Sequence, residues 1–368
     1  MNKLYSKIVV LILLSLPCLT KGQENDVSQS VTGAFRYHYG FILDHHPEMA
    51  VLSKSHISVF EVDLMKSTIG KKQWEKLYHY PNLGLGYMYS SLGNSEILGK
   101  LHGLYPFVDL PLLNRTIYST VRLGLGLSYV TEIFNLDNNF RNTAISRHFN
   151  ALIVLGLNTG VKINSDTKFE IGLSFIHFSN GGTRMPNYGV NLPTANASII
   201  QRFSEKKVIR GDYLDNPLST RWVVRALISC GSKEIFPVNG PNYFVSSASL
   251  QGFYKVWKGG MIGLSFDLGY DASDIELLNR KDIYPDSKLS ILKPGVSLGY
   301  AILLGDLSLS LHAGSYLYEP EKSDGNIYDQ LVLNYKIWKG LHANLTLKTH
   351  FAKADFVGLG LGYQIEFK

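Results

Sequence analysis

Alternation with a period of two runs through this 368-residue chain almost from end to end and limits what it can fold into. In 355–367, Val357, Leu359, Leu361, Tyr363, Ile365 and Phe367 fall on one face of an extended segment. Gly358, Gly360, Gly362, Gln364 and Glu366 fall on the other. The same dyad appears in Leu83-Gly-Leu-Gly-Tyr87, Val121-Arg-Leu-Gly-Leu-Gly-Leu127, Ile262-Gly-Leu-Ser-Phe-Asp-Leu268 and 341–350. Successive side chains of a strand point to opposite faces, so this pattern writes half-buried strands. The glycine runs are strand faces that carry small residues. None of them opens a helix, as a phosphate-binding loop would.

Sixteen antiparallel strands are expected, with fourteen as the alternative count, near 31–43, 54–66, 81–90, 98–110, 116–130, 149–163, 166–180, 190–203, 220–231, 243–257, 260–271, 291–304, 306–317, 328–337, 340–351 and 355–367. Aromatic residues make up 12% of the chain and charged ones only 18%, whereas a typical soluble domain is nearer ~25% charged. An all-β, transmembrane outer-membrane barrel with aromatic girdles and a polar interior fits that balance better than a soluble β-sandwich, which would also alternate. The connections agree. If the first strand runs outward, tight turns at Asn164-Ser165, Lys258-Gly259, Gly305 and Lys339 fall on the periplasmic side. The longer segments 131–148, 232–242, 272–290 and 318–327 then fall outside, as in outer-membrane barrels. The segments 67–80 and 204–219 break this rule, being long but on the inner side, as does 352–354, short but outside; Lys71–Leu77 reads as a short helix on the inner side.

Lys3 and Lys7 followed by the apolar run Ile8–Leu16 read as a secretory signal peptide over 1–22, cleaved near Gly22/Gln23. Cleavage removes Cys18 and leaves Cys230 alone, which excludes an intramolecular disulfide. No Pro/Ser-rich linker or charge block interrupts the remainder, so 23–368 is expected to form a single barrel domain. The net charge of +6 suits a partner bearing phosphates without identifying it, and no feature calls for nucleic acid.

One segment carries chemistry. His177-Phe-Ser179-Asn180-Gly-Gly-Thr-Arg184-Met-Pro186-Asn187-Tyr-Gly189-Val-Asn191 closes a predicted strand. Residues two apart share a strand face, so the His177 imidazole can stand beside the Ser179 hydroxyl, the proximity that a serine nucleophile needs. A His-x-Ser pair alone is expected about once by chance in such a chain. His56-Ile-Ser58 is a decoy of that kind, without the Asn-Gly and Pro-Asn-x-Gly that follow Ser179. Leu173 and Phe175 share the His177/Ser179 face, and Glu170, Gly172 and Ser174 occupy the opposite one, which puts the pair on the lipid-facing side. Polar side chains are costly there, so they point to function.

His177-x-Ser179-Asn180-Gly followed by Pro186-Asn187-x-Gly189-x-Asn191 resembles the motif region of the bacterial lipid A 3-O-deacylases, outer-membrane barrel hydrolases with eight strands. The match is specific over about 170–200, with weaker strand-pattern similarity before it, and leaves about half of this longer chain unaccounted for. The resemblance implies a hydrolase that removes an ester-linked acyl chain from lipid A of lipopolysaccharide. His177 would be its general base, Ser179 its nucleophile, and Asn180 and Asn187 the amides that assist the oxyanion. Where that family carries a glutamate as third member, this chain has Asn191. The outer-membrane phospholipase A family resembles the same stretch and uses an asparagine at similar spacing. The Pro-Asn-x-Gly flank thus points to lipopolysaccharide and the asparagine to phospholipid. A passive porin or transport barrel that had lost its chemistry would have no need of His177, Ser179 and Asn180.

The remaining constellations are weaker. Arg184 could meet a lipid A phosphate or stand solvated in its loop. Asp44-His45-His46 with Glu48 lacks regular metal-ligand spacing and reads as an exposed loop cluster, so neither a metal nor a cofactor is called for.

Overall fold

The structure is a computed structural model that describes residues 28–52, 55–114, 116–207, 220–351 and 353–368. The expected signal peptide lies outside the described residues. Sixteen strands are present among those described, each where the alternation places one. They are β1 (Ser28–Gly40), β2 (Ile57–Ser67), β3 (Asn82–Ser90), β4 (Leu101–Asn114), β5 (Ile117–Val130), β6 (Phe149–Lys162), β7 (Thr167–Ser179) and β8 (Val190–Lys207), then β9 (Trp222–Glu234), β10 (Asn242–Trp257), β11 (Gly260–Asp271), β12 (Lys293–Leu304), β13 (Leu307–Tyr316), β14 (Ile327–Trp338), β15 (Leu341–His350) and β16 (Lys353–Phe367). Among the described residues two short α-helices interrupt them, α1 (Gln73–Leu77), where the sequence predicts one, and α2 (Ser273–Asn279). No described helix is long and apolar enough to cross a membrane.

The strands close twice, not once. β1–β8 form one closed antiparallel barrel, sealed by β1 against β8, and β9–β16 form another, sealed by β16 against β9. This corrects the expectation of a single barrel of about sixteen strands. Alternation reports that each strand has a buried and an exposed face; it is the same whether a seam joins strand one to strand eight or to strand sixteen. Which distant strands pair has no period-2 signature. The described residues divide into two compact units accordingly: 28–180 with 186–207, and 220–368 with 181–185.

An eight-stranded barrel is just wide enough for side chains to fill its interior, and in the first barrel the filling is charged. Arg122 donates to Asp109 Oδ1 (2.8 Å), Glu61 Oε1 (2.7 Å) and Asp63 Oδ2 (2.8 Å), while its guanidinium lies 3.6 Å from the centre of the Phe107 ring. Arg36 reaches Glu170 (3.1 Å), Asn196 (2.7 Å) and Asn158 (3.1 Å). The second barrel is filled in the same way, with Lys233 between Asp271 and Asp355, and with Asp267 accepting from Ser249, Ser265, Ser297 and Tyr328. Buried charges are tolerated when compensated: Arg122, Arg36 and Lys233 face carboxylates, and Asp267 is held by four hydroxyl donors. The outer faces are apolar: Leu173, Leu264 and Leu359 are 65%, 69% and 71% exposed. Tyrosine, phenylalanine and tryptophan stand near strand ends, among them Tyr39, Tyr129, Trp222 and Trp338.

Candidate active site

Antiparallel pairing of β7 with β8 sets His177 directly opposite Asn191. The two side chains meet: His177 Nδ1 lies 2.6 Å from Asn191 Oδ1. On the other side of the ring, His177 Nε2 lies 3.1 Å from Ser179 Oγ, so the strand's two-residue repeat delivers the contact the sequence anticipates. Ile171 and Leu173, of the same parity, are exposed on the outer wall, whereas Glu170 is buried inside the barrel. The serine–histidine–amide line is therefore on the outer face of the first barrel, with Ser179 itself 8% exposed.

The turn that follows brings the flanking residues back. Gly189 has φ +71°, a conformation that a side chain disfavours. A Cβ there would also stand 3.0 Å from His177 Cε1 and 3.1 Å from the Ser179 Cβ, so the backbone passes against the pair only because this residue is glycine. The Asn180 backbone N–H donates to Asn187 Oδ1 (3.1 Å), which turns the Asn187 Nδ2 end away from that bond. Asn180 Nδ2 donates to Ser146 Oγ (2.9 Å), an anchor on the β5–β6 loop that the motif does not reveal. Arg184 lies in the segment 181–185, which packs as part of the second unit, and donates to Asn239 Oδ1 (3.1 Å).

His45 also reaches the site. Beyond the end of β1 the chain stays tied to β8, with Leu43 N–H donating to the Asn191 carbonyl (2.9 Å). His45 Nδ1 then lies 3.2 Å from Asn191 Nδ2, and its Nε2 lies 2.9 Å from the Tyr188 carbonyl. The sequence assigned this histidine to a loop cluster; 146 residues separate it from Asn191, and only closure of the barrel joins them. Among the described residues, no three His, Cys, Asp or Glu side chains converge as metal ligands. The decoy pair is engaged elsewhere. Ser58 Oγ bonds with the Tyr37 hydroxyl (2.8 Å), and the His56 ring packs on Tyr39.

A hydroxyl, an imidazole and an amide in line are an arrangement that can activate a serine for acyl transfer. The architecture of closed all-β barrels with apolar outer walls fits an outer-membrane protein. Comparison with known families gives two matches. The family described as lipid A 3-O-deacylase (PagL) matches residues 60–199, within the first barrel, and that described as acyloxyacyl hydrolase, C-terminal domain, matches 222–367, the second barrel. Comparison with curated proteins returned no match. Among solved structures, engineered variants of the porin of Rhodopseudomonas blastica align over 92% of this chain and 100% of their own. Their identity is 8–10% and their TM-score 0.18–0.19, a likeness too slight to bear on this chain. The class these matches define is ester hydrolase. More narrowly, the chain belongs to the family described as lipid A 3-O-deacylase over its first barrel and to that described as acyloxyacyl hydrolase, C-terminal domain, over its second, the two matches together covering most of its length.

Proposed function

We propose that this protein is a serine esterase of the outer membrane that removes an ester-linked acyl chain from lipid A of lipopolysaccharide. The observation that carries the reading is the hydrogen-bonded line Ser179–His177–Asn191 on the apolar outer wall, where an acyl chain in the lipid leaflet can meet it. His177 Nε2 takes the Ser179 proton as Oγ attacks the ester carbonyl. The oxyanion receives N–H donors from Asn187 and Asn180. Collapse expels the lipid A hydroxyl, which takes the proton back from His177, and water releases the fatty acid from the acyl-enzyme by the same route. The exposed leucine, phenylalanine and tyrosine side chains of both barrels support the membrane setting, since water would penalise so large an apolar surface.

The amide at Asn191 favours a second reading, hydrolysis of a phospholipid ester. Mass spectrometry of lipid A from cells with and without the protein decides: loss of one acyl chain supports the proposal. Unchanged lipid A with accumulating lysophospholipid supports the alternative. Ser179→Ala should abolish hydrolysis and preserve barrel assembly, seen as an unchanged heat-modifiable gel shift. His56→Ala and Ser58→Ala should leave activity as it was. Activity in Ser179→Ala would refute the site.

A further inference from the structure

We propose that His45 is a positioning residue of this esterase: it fixes which way round the Asn191 amide lies, and through it which nitrogen of His177 carries the proton. The inference rests on the Ser179–His177–Asn191 reading given above. A carboxylate presents two equivalent acceptors to a histidine, but an amide has two different ends in nearly the same volume. With Oδ1 toward His177, the ring is protonated at Nδ1 and its bare Nε2 can take the serine proton. With Nδ2 toward it, Nδ1 must accept, the proton sits on Nε2, and the ring points an N–H at the serine oxygen. That orientation has no base.

The structure breaks the symmetry at a backbone carbonyl. The Tyr188 oxygen can only accept, so the His45 nitrogen 2.9 Å away, Nε2, carries that ring's proton. His45 Nδ1 is then bare and accepts from Asn191 Nδ2 at 3.2 Å. That leaves Asn191 Oδ1 facing His177 Nδ1 at 2.6 Å, and His177 Nε2 open to the Ser179 hydroxyl at 3.1 Å. The Leu43 carbonyl, 3.2 Å from His45 Nδ1, is a competing acceptor. A ring protonated toward it would set two lone pairs against each other at the closer Tyr188 contact. His45 is held where this matters: Leu43 is bonded to the Asn191 carbonyl, and the neighbouring His46 ring stacks on Tyr188 with centroids 4.3 Å apart.

The test is a double-mutant cycle with the full chain in detergent micelles, reading kcat and KM on a synthetic lipid ester. His45→Ala should lower kcat by about 10–100-fold and leave KM within about twofold. In an Asn191→Asp background, where both oxygens accept, the same substitution should change kcat by less than about threefold. Equal losses in the two backgrounds, or no loss beside Asn191, would overturn the proposal, because a purely structural role does not depend on the third residue. Ring-¹⁵N spectra of histidine-labelled protein read the orientation without turnover. His177 should be a single Nδ1–H tautomer in the parent and lose that state in His45→Ala; an unchanged His177 signal also overturns the proposal. Ser179→Ala, assayed alongside, separates the claims. If it is active, the esterase reading fails with this one; if it is inactive, equal losses in the cycle refute His45 alone.

Discussion

Asn191 and Gly189 are the two positions at which the site is most sensitive to a single atom. Asn191→Ala removes the acceptor that holds His177 by Nδ1, and kcat should fall at least ~100-fold, since replacing the acid of a serine triad by a residue that mis-sets the tautomer costs about 10⁴. Asn191→Asp should retain or raise activity, because it accepts the same bond and stabilises the imidazolium. The register sets residue 191 directly opposite His177 with a 2.6 Å contact already made. A glutamate, one methylene longer, should overshoot and be slower than the aspartate. Steady-state kinetics of the three variants check the order. Gly189→Ala adds a methyl against both His177 and Ser179 at a residue with φ +71°. A left-handed conformation costs an ordinary residue about 1–2 kcal/mol, so the loop should shift. The expected result is a large loss of kcat with the heat-modifiable gel shift intact, separating damage to the site from damage to the barrel.

Among the elements, β7 was the most legible. Its parity put His177, Ser179 and Leu173 on one face and Glu170 on the other, and the exposure of Leu173 and burial of Glu170 agree. Both facts follow from a period of two, a local property. What needed distant pairing was hidden: the Ser146 anchor for Asn180 comes from the β5–β6 loop, and His45 from beyond β1. The charged plugs were hidden too. Glu61, Asp63, Asp109 and Arg122 each look like an ordinary polar position of a strand, and only closure turns them toward one another. Arg122→Ala would leave three buried carboxylates without their shared cation. Removing one partner of a buried pair typically costs about 3–5 kcal/mol. The temperature at which the heat-modifiable shift is lost should drop clearly. Half-buried Arg202, which pairs with exposed Asp166 at the surface, should tolerate alanine with little change.

For the molecule as a whole, the position of every strand was readable and the number of barrels was not. The clue was the segment 204–219, long where a short inner turn was expected. It begins within the end of β8, the strand that closes on β1, and precedes β9, the strand that closes on β16. The two family matches fall on either side of it, at 60–199 and 222–367. Double closure makes a prediction that a sixteen-stranded barrel does not. A chain ending after Lys207 keeps every ladder of its eight strands, including the β1–β8 seam from Ser28–Lys207 to Gly40–Thr194. It should assemble in the membrane and show its own heat-modifiable shift. Half of a single large barrel would instead expose two unpaired edges to lipid, and each unsatisfied backbone group there costs several kcal/mol, so it would not assemble. A truncated protein found only as aggregate, beside a full-length control that folds, would count against independent closure.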